Sequence, residues 1–280
     1  MIALIPALRA AGEKDEARFA PTPGGDLTMA LAIGTALAVG LALYVAAGYP
    51  AGFATLNGIA AVLPGWFWQG VTLLGETPTA FALGLIVARR HPLALWVLVL
   101  ASLPGALLSR GIKHLADMDR PPAVLAADTF NLVGPALKHS SFPSGHTITA
   151  FLVAGVVAYV SPRWRVPVLA LALFVGLSRV AVGVHWPLDV VAGAVFGLVA
   201  AWLGIHLGAR WRSGASPRVH LVLVAAFLWG PVALLVDDWG YPGSAWVRVP
   251  VALAAVVAVA WGYVIEPLRS ARASGHTAQS

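Results

Sequence analysis

The chain is organised as long apolar runs separated by short polar segments. A helix needs about 20 mostly apolar residues to cross a hydrocarbon core about 30 Å thick. Runs that meet or approach this length occur at residues 27–47, 77–88, 92–109, 147–160, 166–184, 187–208, 219–236 and 249–265. The pattern therefore predicts an all-α integral membrane protein with eight membrane-spanning helices.

The second run is short for a span, because the arginine pair at 89–90 follows it directly. We expect either that this helix begins earlier, with Glu76 near the membrane boundary, or that the arginine side chains snorkel to the surface. Aromatic residues before it suit the headgroup region and predict a short interfacial segment. Interface anchors of this kind are predicted at Trp66, Trp68, Trp186 and Trp246.

Composition supports a membrane protein and excludes several other classes. Hydrophobic residues make up 59% of the chain and charged residues 11%, with a mean hydropathy of +0.81, whereas soluble domains carry about 25% charged residues. Such hydrophobicity excludes intrinsic disorder. The absence of cysteine excludes a disulfide framework, thiolate catalysis and cysteine-bound metals.

The net charge of +6 is explained by membrane topology rather than by a nucleic-acid partner. With the N-terminus inside, 12 of the 18 basic residues fall on inner segments, as the positive-inside rule requires. We therefore predict a bacterial-type inner membrane protein with both termini in the cytoplasm. The six outer basic residues are Arg110, Lys113, Arg120, Lys138, Arg179 and Arg248.

Three regions follow from this topology. Residues 1–26 are predicted to form a cytoplasmic N-terminal tail, because acidic and basic residues interrupt any apolar core of a cleavable signal peptide. Residues 27–212 form a six-span core. Residues 213–280 add two spans and a short cytoplasmic tail, and are predicted to be an appendix to that core. The bilayer is the one partner this organisation requires, and the sequence predicts no oligomeric state.

Polar residues at membrane depth are expensive and are therefore functional candidates. They concentrate in three clusters, at residues 113–122, 140–146 and 178–189, all on the predicted outer side. The arginines of these clusters can bind phosphate oxygens in a bidentate manner. Ser144 is a plausible helix N-cap, Gly145 allows close approach of the backbone, and a helix N-terminus attracts anions. The clusters together predict a phosphate-binding site.

A histidine and a carboxylate in the third cluster have a spacing that can bring them together. Asp189 follows His185 by four residues across a predicted helix start, which favours contact on one face. A carboxylate on one ring nitrogen fixes the tautomer and makes the other nitrogen a better nucleophile or base. His146 is then available as a second acid or base.

These motifs resemble the three-part signature of the type-2 phosphatidic acid phosphatase and vanadium haloperoxidase superfamily, in its membrane-bound lipid phosphatase branch. Lys113 is followed by six residues and then Arg120-Pro121. Pro143-Ser144-Gly145-His146 comes next, and Ser178-Arg179 is followed by five residues, His185, three residues and Asp189. The resemblance covers about residues 75–208 and implies a six-helix transmembrane phosphatase core.

The resemblance also implies a role for each motif residue. His185 would attack phosphorus to form a phosphohistidine, Asp189 would orient it, and His146 would protonate the leaving oxygen and then activate water. The phosphoryl oxygens would be held by Lys113, Arg120, Ser144, Gly145 and Arg179. It implies no metal and no other cofactor. Phosphatidic acid, phosphatidylglycerol phosphate and prenyl phosphates or diphosphates are equally compatible lipid substrates.

Other interpretations remain open at this point. A phosphohistidine can also transfer its phosphoryl group to another lipid, which would make the protein a phosphotransferase. A transporter or channel would bind without reacting, but it is expected to carry its charges at mid-membrane on broken helices. Haloperoxidase activity is disfavoured, because those relatives are soluble. The remaining acidic residues of the outer loop, Asp117, Asp119 and Asp128, are expected to be solvated, and His139 to be a bystander or a residue at the rim of the substrate site.

Overall fold

A computed structural model describes residues 4–270, and this part of the chain is helical with no strands. The all-α prediction is therefore confirmed. Short 3₁₀ turns occur at Pro162–Trp164, Arg212–Ala215 and Pro242–Ser244. A π-helical turn at Ala260–Ile265 interrupts the last helix, which is again α-helical over residues 266–270. The α-helices are α1 (Leu4–Arg18), α2 (Pro23–Ala47), α3 (Phe53–Ala60), α4 (Gly65–Leu73), α5 (Thr77–Ala88), α6 (Pro92–Ala116), α7 (Pro121–Val124), α8 (Gly145–Val160), α9 (Arg165–Ala181), α10 (Pro187–Arg210), α11 (Pro217–Phe227), α12 (Trp229–Val236) and α13 (Ala245–Val259).

The predicted spans correspond to helices of the described chain. Six helical segments are long and apolar enough to cross a membrane, and α4 and α5 form a further pair that meets at 61°. The 16-residue α8 is a shorter apolar helix. The short second run is thus explained by a break at residues 74–76, which separates α5 from the aromatic-rich α4.

Helix α10 lies at the centre of the bundle and packs against α2, α6, α8 and α9. Small residues allow this close approach, as is typical of helix packing in membranes. A Cβ atom on Gly193 would lie 2.7 Å from Cβ of Thr147, and one on Gly197 would lie 2.6 Å from the carbonyl oxygen of Ile148. The starts of α8 and α10, which carry two of the polar clusters, are therefore held side by side.

Two boundaries differ from the prediction near the polar clusters. Helix α6 continues to Ala116 instead of ending at residue 109, so Lys113 is helical. Helix α9 ends at Ala181 rather than at residue 184, and a buried turn follows. Gly183 in this turn has φ of +80°, and a Cβ there would lie 2.5 Å from a backbone oxygen. Only glycine fits this conformation and this space.

The predicted N-terminal tail contains an ordered helix. Asp15 of α1 is buried, and its carboxylate lies 2.9 Å from Nδ1 of His91 and accepts a hydrogen bond from the amide of Leu93. These contacts attach α1 to the start of α6, at the end of the bundle opposite the polar clusters.

The C-terminal helices join the bundle as well. Helices α12 and α13 pack against α5, α13 also contacts α4, and α11 contacts both α5 and α6. Two of the predicted interface anchors are buried instead, since Trp68 and Trp186 are only 6% and 5% exposed. Their indole N–H groups donate to backbone oxygens of Ala60 and Asp119, and that part of the prediction is wrong. Trp66 and Trp246 are exposed.

Candidate active site

The three polar clusters meet at one end of the bundle, where helices begin or end. The eight predicted site residues are placed there by the last turns of α6 and α9, the loop before α7, and the first turns of α8 and α10. They are Lys113, Arg120, Ser144, Gly145, His146, Arg179, His185 and Asp189.

His185 and Asp189 form a buried pair. Nδ1 of His185 lies 3.1 Å from Oδ2 of Asp189, and the two side chains are 2% and 0% exposed. Asp189 lies in the first turn of α10 and also accepts a hydrogen bond from the amide of Trp186, 2.8 Å away. One carboxylate thus both caps the helix and orients the imidazole.

Arg120 determines which nitrogen of His185 carries the proton. Its Nη1 atom lies 3.1 Å from Nε2 of His185. A guanidinium only donates hydrogen bonds, so Nε2 must accept and Nδ1 must carry the proton that is donated to Asp189. Arg120 is itself held by the carbonyl oxygens of His139, Ser140 and Val184. The lone pair of Nε2 therefore faces the cationic side of the site.

The surroundings of His185 also disfavour its protonated form. Burial lowers its pKa well below the usual value, and the positive charges of Arg120, Arg179 and Lys113 lower it further. Both effects oppose the imidazolium ion. His185 is consequently a neutral imidazole in this site.

Two further residues, which the sequence did not assign, hold the Asp189 carboxylate. Ser141 donates its hydroxyl to Oδ2 at 2.5 Å, and the Tyr49 hydroxyl donates to Oδ1. Ser141 adjoins a motif and could have been suspected on that ground. Tyr49 lies in the turn between α2 and α3, about 140 residues from Asp189 along the chain, and no sequence pattern connects them.

The other two cations face the same site from different helices. Nζ of Lys113 donates to the carbonyl oxygen of Ser140 at 2.9 Å. Nη1 of Arg179 donates to Oγ1 of Thr72 at 2.5 Å and to the hydroxyl of Tyr241 at 3.3 Å. Arg179 is only 1% exposed, yet its Nε has no hydrogen-bond partner among the described residues. A buried guanidinium with a free donor is suited to an anion.

The start of α8 adds backbone donors to these cations. Ser144 is the N-cap, and its Oγ accepts hydrogen bonds from the amide and the hydroxyl of Thr147. The amide of Ser144 donates to the backbone oxygen of Asp189, which ties α8 to α10. The amides of Gly145 and His146 have no acceptor within the described chain. They follow the pattern of an anion-binding helix N-terminus.

A second histidine–carboxylate pair was not predicted. Nε2 of His146 lies 2.9 Å from Oε1 of Glu76, and each side chain is 19% exposed. Glu76 precedes α5, directly after the break in the α4–α5 pair. The only sequence signal was an isolated carboxylate at the start of an apolar run on the predicted outer side.

A cavity of about 450 Å³ opens beside this second pair. It lies between α5, α6 and the start of α8, and its polar lining includes Glu76, His146 and Ser109. A second cavity of about 480 Å³ with mostly apolar walls lies between α5, α8 and α9. Both are lined by Ala80 and Leu98. A cavity with several polar lining groups therefore adjoins a more apolar one.

Fold and site together define a helical membrane protein with two histidines and three cations gathered in a candidate site at one end of the bundle. The sequence profile of the PAP2 superfamily matches residues 93–213. An undecaprenyl-diphosphatase of Sulfolobus acidocaldarius is 31% identical over 165 residues, which cover 55% of this chain and 71% of that protein. The chain belongs to the PAP2 superfamily.

Two other relatives extend the comparison. A lipid A 1-phosphatase of Rhizobium johnstonii is 45% identical over 104 residues, 36% of this chain. The bacitracin transport permease protein BcrC of Bacillus licheniformis is 33% identical over 150 residues, covering 51% of this chain and 69% of that protein. The match to the lipid A 1-phosphatase spans only 41% of its length.

Proposed function

We propose that the protein is a phosphatase that removes phosphate from a lipid phosphate or prenyl diphosphate through a phosphohistidine intermediate. The observation that carries the proposal is the orientation of His185. Its Nδ1 proton is directed to Asp189 and its Nε2 lone pair faces Arg120. This arrangement gives a neutral, oriented nucleophile beside a positively charged anion site.

The phosphoryl group would be held by donors that surround the nucleophile. Arg179 contributes its unpartnered Nε, Lys113 and Arg120 contribute charge, and Ser144 caps the helix whose Gly145 amide is free. As Nε2 of His185 forms its bond to phosphorus, negative charge grows on the non-bridging oxygens. Fixed donors at those oxygens stabilise the transition state more than the ground state.

Proton transfer is assigned to His146. When the bond between phosphorus and the leaving oxygen breaks, the imidazolium of His146 gives that oxygen a proton. A water molecule then attacks the phosphohistidine while His146 takes its proton back, and the N–P bond breaks to restore the Nε2 lone pair of His185. The contact with Glu76 supports this role, since a carboxylate stabilises the imidazolium form.

A lipid substrate is favoured by the two adjoining cavities. The cavity lined by Gly145 and His146 would admit the headgroup toward the cations, and the hydrocarbon tail would extend past Ala80 and Leu98 into the apolar cavity. The names of two relatives, lipid A 1-phosphatase and undecaprenyl-diphosphatase, direct the choice of substrates to test. Lipid A, undecaprenyl diphosphate, phosphatidic acid and phosphatidylglycerol phosphate form the panel.

We test the proposal with purified protein in detergent by measuring release of inorganic phosphate from this panel. The wild type is expected to release phosphate from at least one lipid and to remain active with a chelator. His185→Ala is expected to be inactive. An active His185→Ala variant or a chelator-sensitive wild type would contradict the mechanism. Assays with an added acceptor lipid separate hydrolysis from phosphoryl transfer.

The proposal includes an outer-face site in a bacterial-type inner membrane, with both termini in the cytoplasm. The distribution of basic residues supports this topology. Because the chain contains no cysteine, single cysteines can report it without background. A cysteine at Asp128 is expected to react with an impermeant maleimide on spheroplasts, and one at Ser213 only after lysis. The opposite labelling pattern would contradict the proposed orientation and place both termini outside.

A further inference from the structure

The C-terminal helix pair consists of the span formed by α11 and α12 and the span that begins with α13. It lies beyond the region that matches the family profile and contributes a buried side chain to the candidate site. Tyr241 lies in the turn between α12 and α13 and is only 3% exposed. Its hydroxyl accepts a hydrogen bond from Nη1 of Arg179 at 3.3 Å. Cζ of Arg179 lies 5.9 Å from the centre of the Tyr241 ring. The tyrosine therefore offers the guanidinium both an oxygen and an aromatic face.

These contacts fix one edge of the Arg179 guanidinium. Nη1 is shared between the hydroxyls of Thr72 and Tyr241, while Nε is buried without a partner in the described chain. A guanidinium is planar and rigid, so holding Nη1 also determines the direction of the N–H bond on Nε. Tyr241 thus controls a donor that it does not itself touch.

The position of Tyr241 is determined by packing on both sides of the turn. Gly134 has φ of +87°, and a Cβ there would lie 2.4 Å from the Tyr241 ring. The amide of Gly243 donates to Oε1 of Gln69 at 2.6 Å, and the Trp246 indole donates to the backbone oxygen of Trp66. Both acceptors belong to α4, which also carries Thr72. The turn and the helix therefore present their two hydroxyls to Arg179 as one unit.

We propose that Tyr241 is a positioning residue for Arg179, so that the C-terminal helix pair completes the phosphoryl-binding site. The inference rests on the proposed function for the role of Arg179. It assigns to residues 213–270 a part in phosphate recognition that the six-span core does not supply. Removing the hydroxyl leaves Nη1 held by Thr72 alone, and removing the ring opens space beside the guanidinium.

The test compares Tyr241→Phe with Tyr263→Phe in the full-length protein. Tyr263 lies in the same C-terminal segment, and its hydroxyl lies 2.6 Å from Nε2 of His220, far along the chain from the motifs. Each variant loses one hydrogen-bonded hydroxyl. Tyr241→Phe is expected to lower kcat/KM and the affinity for orthovanadate about three- to tenfold, in the range of the net contribution of a typical hydrogen bond. Tyr263→Phe is expected to change neither by more than about twofold.

A double-mutant cycle with Arg179→Gln provides the decisive readout. If Tyr241 acts through Arg179, Tyr241→Phe has no further effect on orthovanadate binding in the Arg179→Gln background. An equal loss in both backgrounds would overturn the proposal, as would an equal loss in Tyr263→Phe. Tyr241→Leu, which also removes the ring, is expected to weaken binding more than Tyr241→Phe does.

Failure of this inference can be distinguished from failure of the proposed function. Orthovanadate binding is followed by the increase in melting temperature that a ligand of the folded state produces, so this measurement requires no turnover. An inactive wild type that still shows the Tyr241–Arg179 coupling would refute only the proposed function. An active wild type without the coupling would refute only the role of Tyr241.

Discussion

The two histidines of the candidate site each face a carboxylate, but the surroundings of the two pairs differ. His185 and Asp189 are almost completely buried, and Asp189 accepts additional hydrogen bonds from Ser141, the Trp186 amide and Tyr49. His146 and Glu76 are each 19% exposed, and among the described residues the Glu76 carboxylate forms an ion pair with His146 alone. The separations, 3.1 and 2.9 Å, are nearly the same.

This difference matches the separate tasks that the proposed function gives to the histidines. A nucleophile must keep one tautomer and one orientation through the reaction, which a carboxylate with four donors provides. An acid and base must exchange protons with a leaving group and then with water, which requires access to a chamber. The His146 pair borders the 450 Å³ cavity. Distance alone does not separate the two pairs, whereas burial and the number of donors do.

The largest effect is expected from Asp189→Asn. The neutral amide removes the negative charge beside His185, and its NH₂ group cannot accept from the donors that surround the carboxylate. The orientation of the imidazole and the positive charge that it gains on attack are therefore both less well stabilised. We expect kcat to fall about 10³-fold or more, as is typical when the orienting carboxylate of a histidine becomes an amide. Phosphate release and the melting temperature are measured together. A loss below about tenfold in a folded variant would show that Asp189 is not needed for orientation.

A smaller loss is expected from Glu76→Gln. Without the carboxylate, the imidazolium of His146 loses its stabilising charge. Because His146 itself remains, kcat should fall only about 10- to 100-fold, less than the roughly 10²- to 10⁴-fold that a general acid or base contributes. The loss should be greatest for an alkyl leaving group and small for an aryl phosphate, whose leaving oxygen needs little protonation. Equal losses for both leaving groups would assign Glu76 to phosphate binding or to structure instead.

The sequence could predict the first pair but not the second. The spacing of four residues across a helix start brought His185 to Asp189, and the contact is present at 3.1 Å. Glu76, which precedes α5, and His146, in the first turn of α8, are 70 residues apart. Their contact depends on the break between α4 and α5, which the apolar pattern indicated only as an unusually short span. Local spacing is readable from sequence, whereas helix packing across the bundle is not.

The same distinction applies to the fold. Each of the eight apolar runs coincides with helix in the described chain, and six of them lie in segments long and apolar enough to cross a membrane, because membrane thickness imposes a minimum length on each span. They did not identify the neighbours of the C-terminal pair, since lipid-facing and helix-facing surfaces are both apolar. For this reason the sequence predicts residues 213–280 to be an appendix to the core. In the structure, Tyr241 of this segment instead accepts a hydrogen bond from Arg179 of the candidate site. The interfacial role predicted for Trp186 was wrong for a similar reason, because its ring packs against Phe53.

The protonation state of His185 can be compared with that of a histidine of ordinary pKa. A histidine with an ordinary pKa of about 6.5 would be roughly three-quarters protonated at pH 6. Because burial and neighbouring cations lower the pKa of His185, it should remain neutral as the pH falls through this range. ¹⁵N-histidine NMR, assigned with His185→Gln, should show a neutral ring with hydrogen on Nδ1 at pH 6. A protonated ring at that pH would contradict the assignment.

The smallest effect is expected from a third pair on the same side of the molecule. Nδ1 of His139 lies 2.9 Å from Oδ1 of Asp119, a separation like those of the other two pairs, but the side chains are 74% and 54% exposed. Exposed pairs are screened by water and contribute little, and only the backbone oxygen of Asp119 holds the Trp186 indole. Asp119→Asn should therefore leave kcat/KM within about twofold of the wild type.

Because this variant makes the same chemical change as Asp189→Asn, comparing their phosphate release isolates the effect of burial. A tenfold loss in Asp119→Asn would mean that the outer loop takes part in binding the headgroup, and burial would no longer distinguish the reactive pairs.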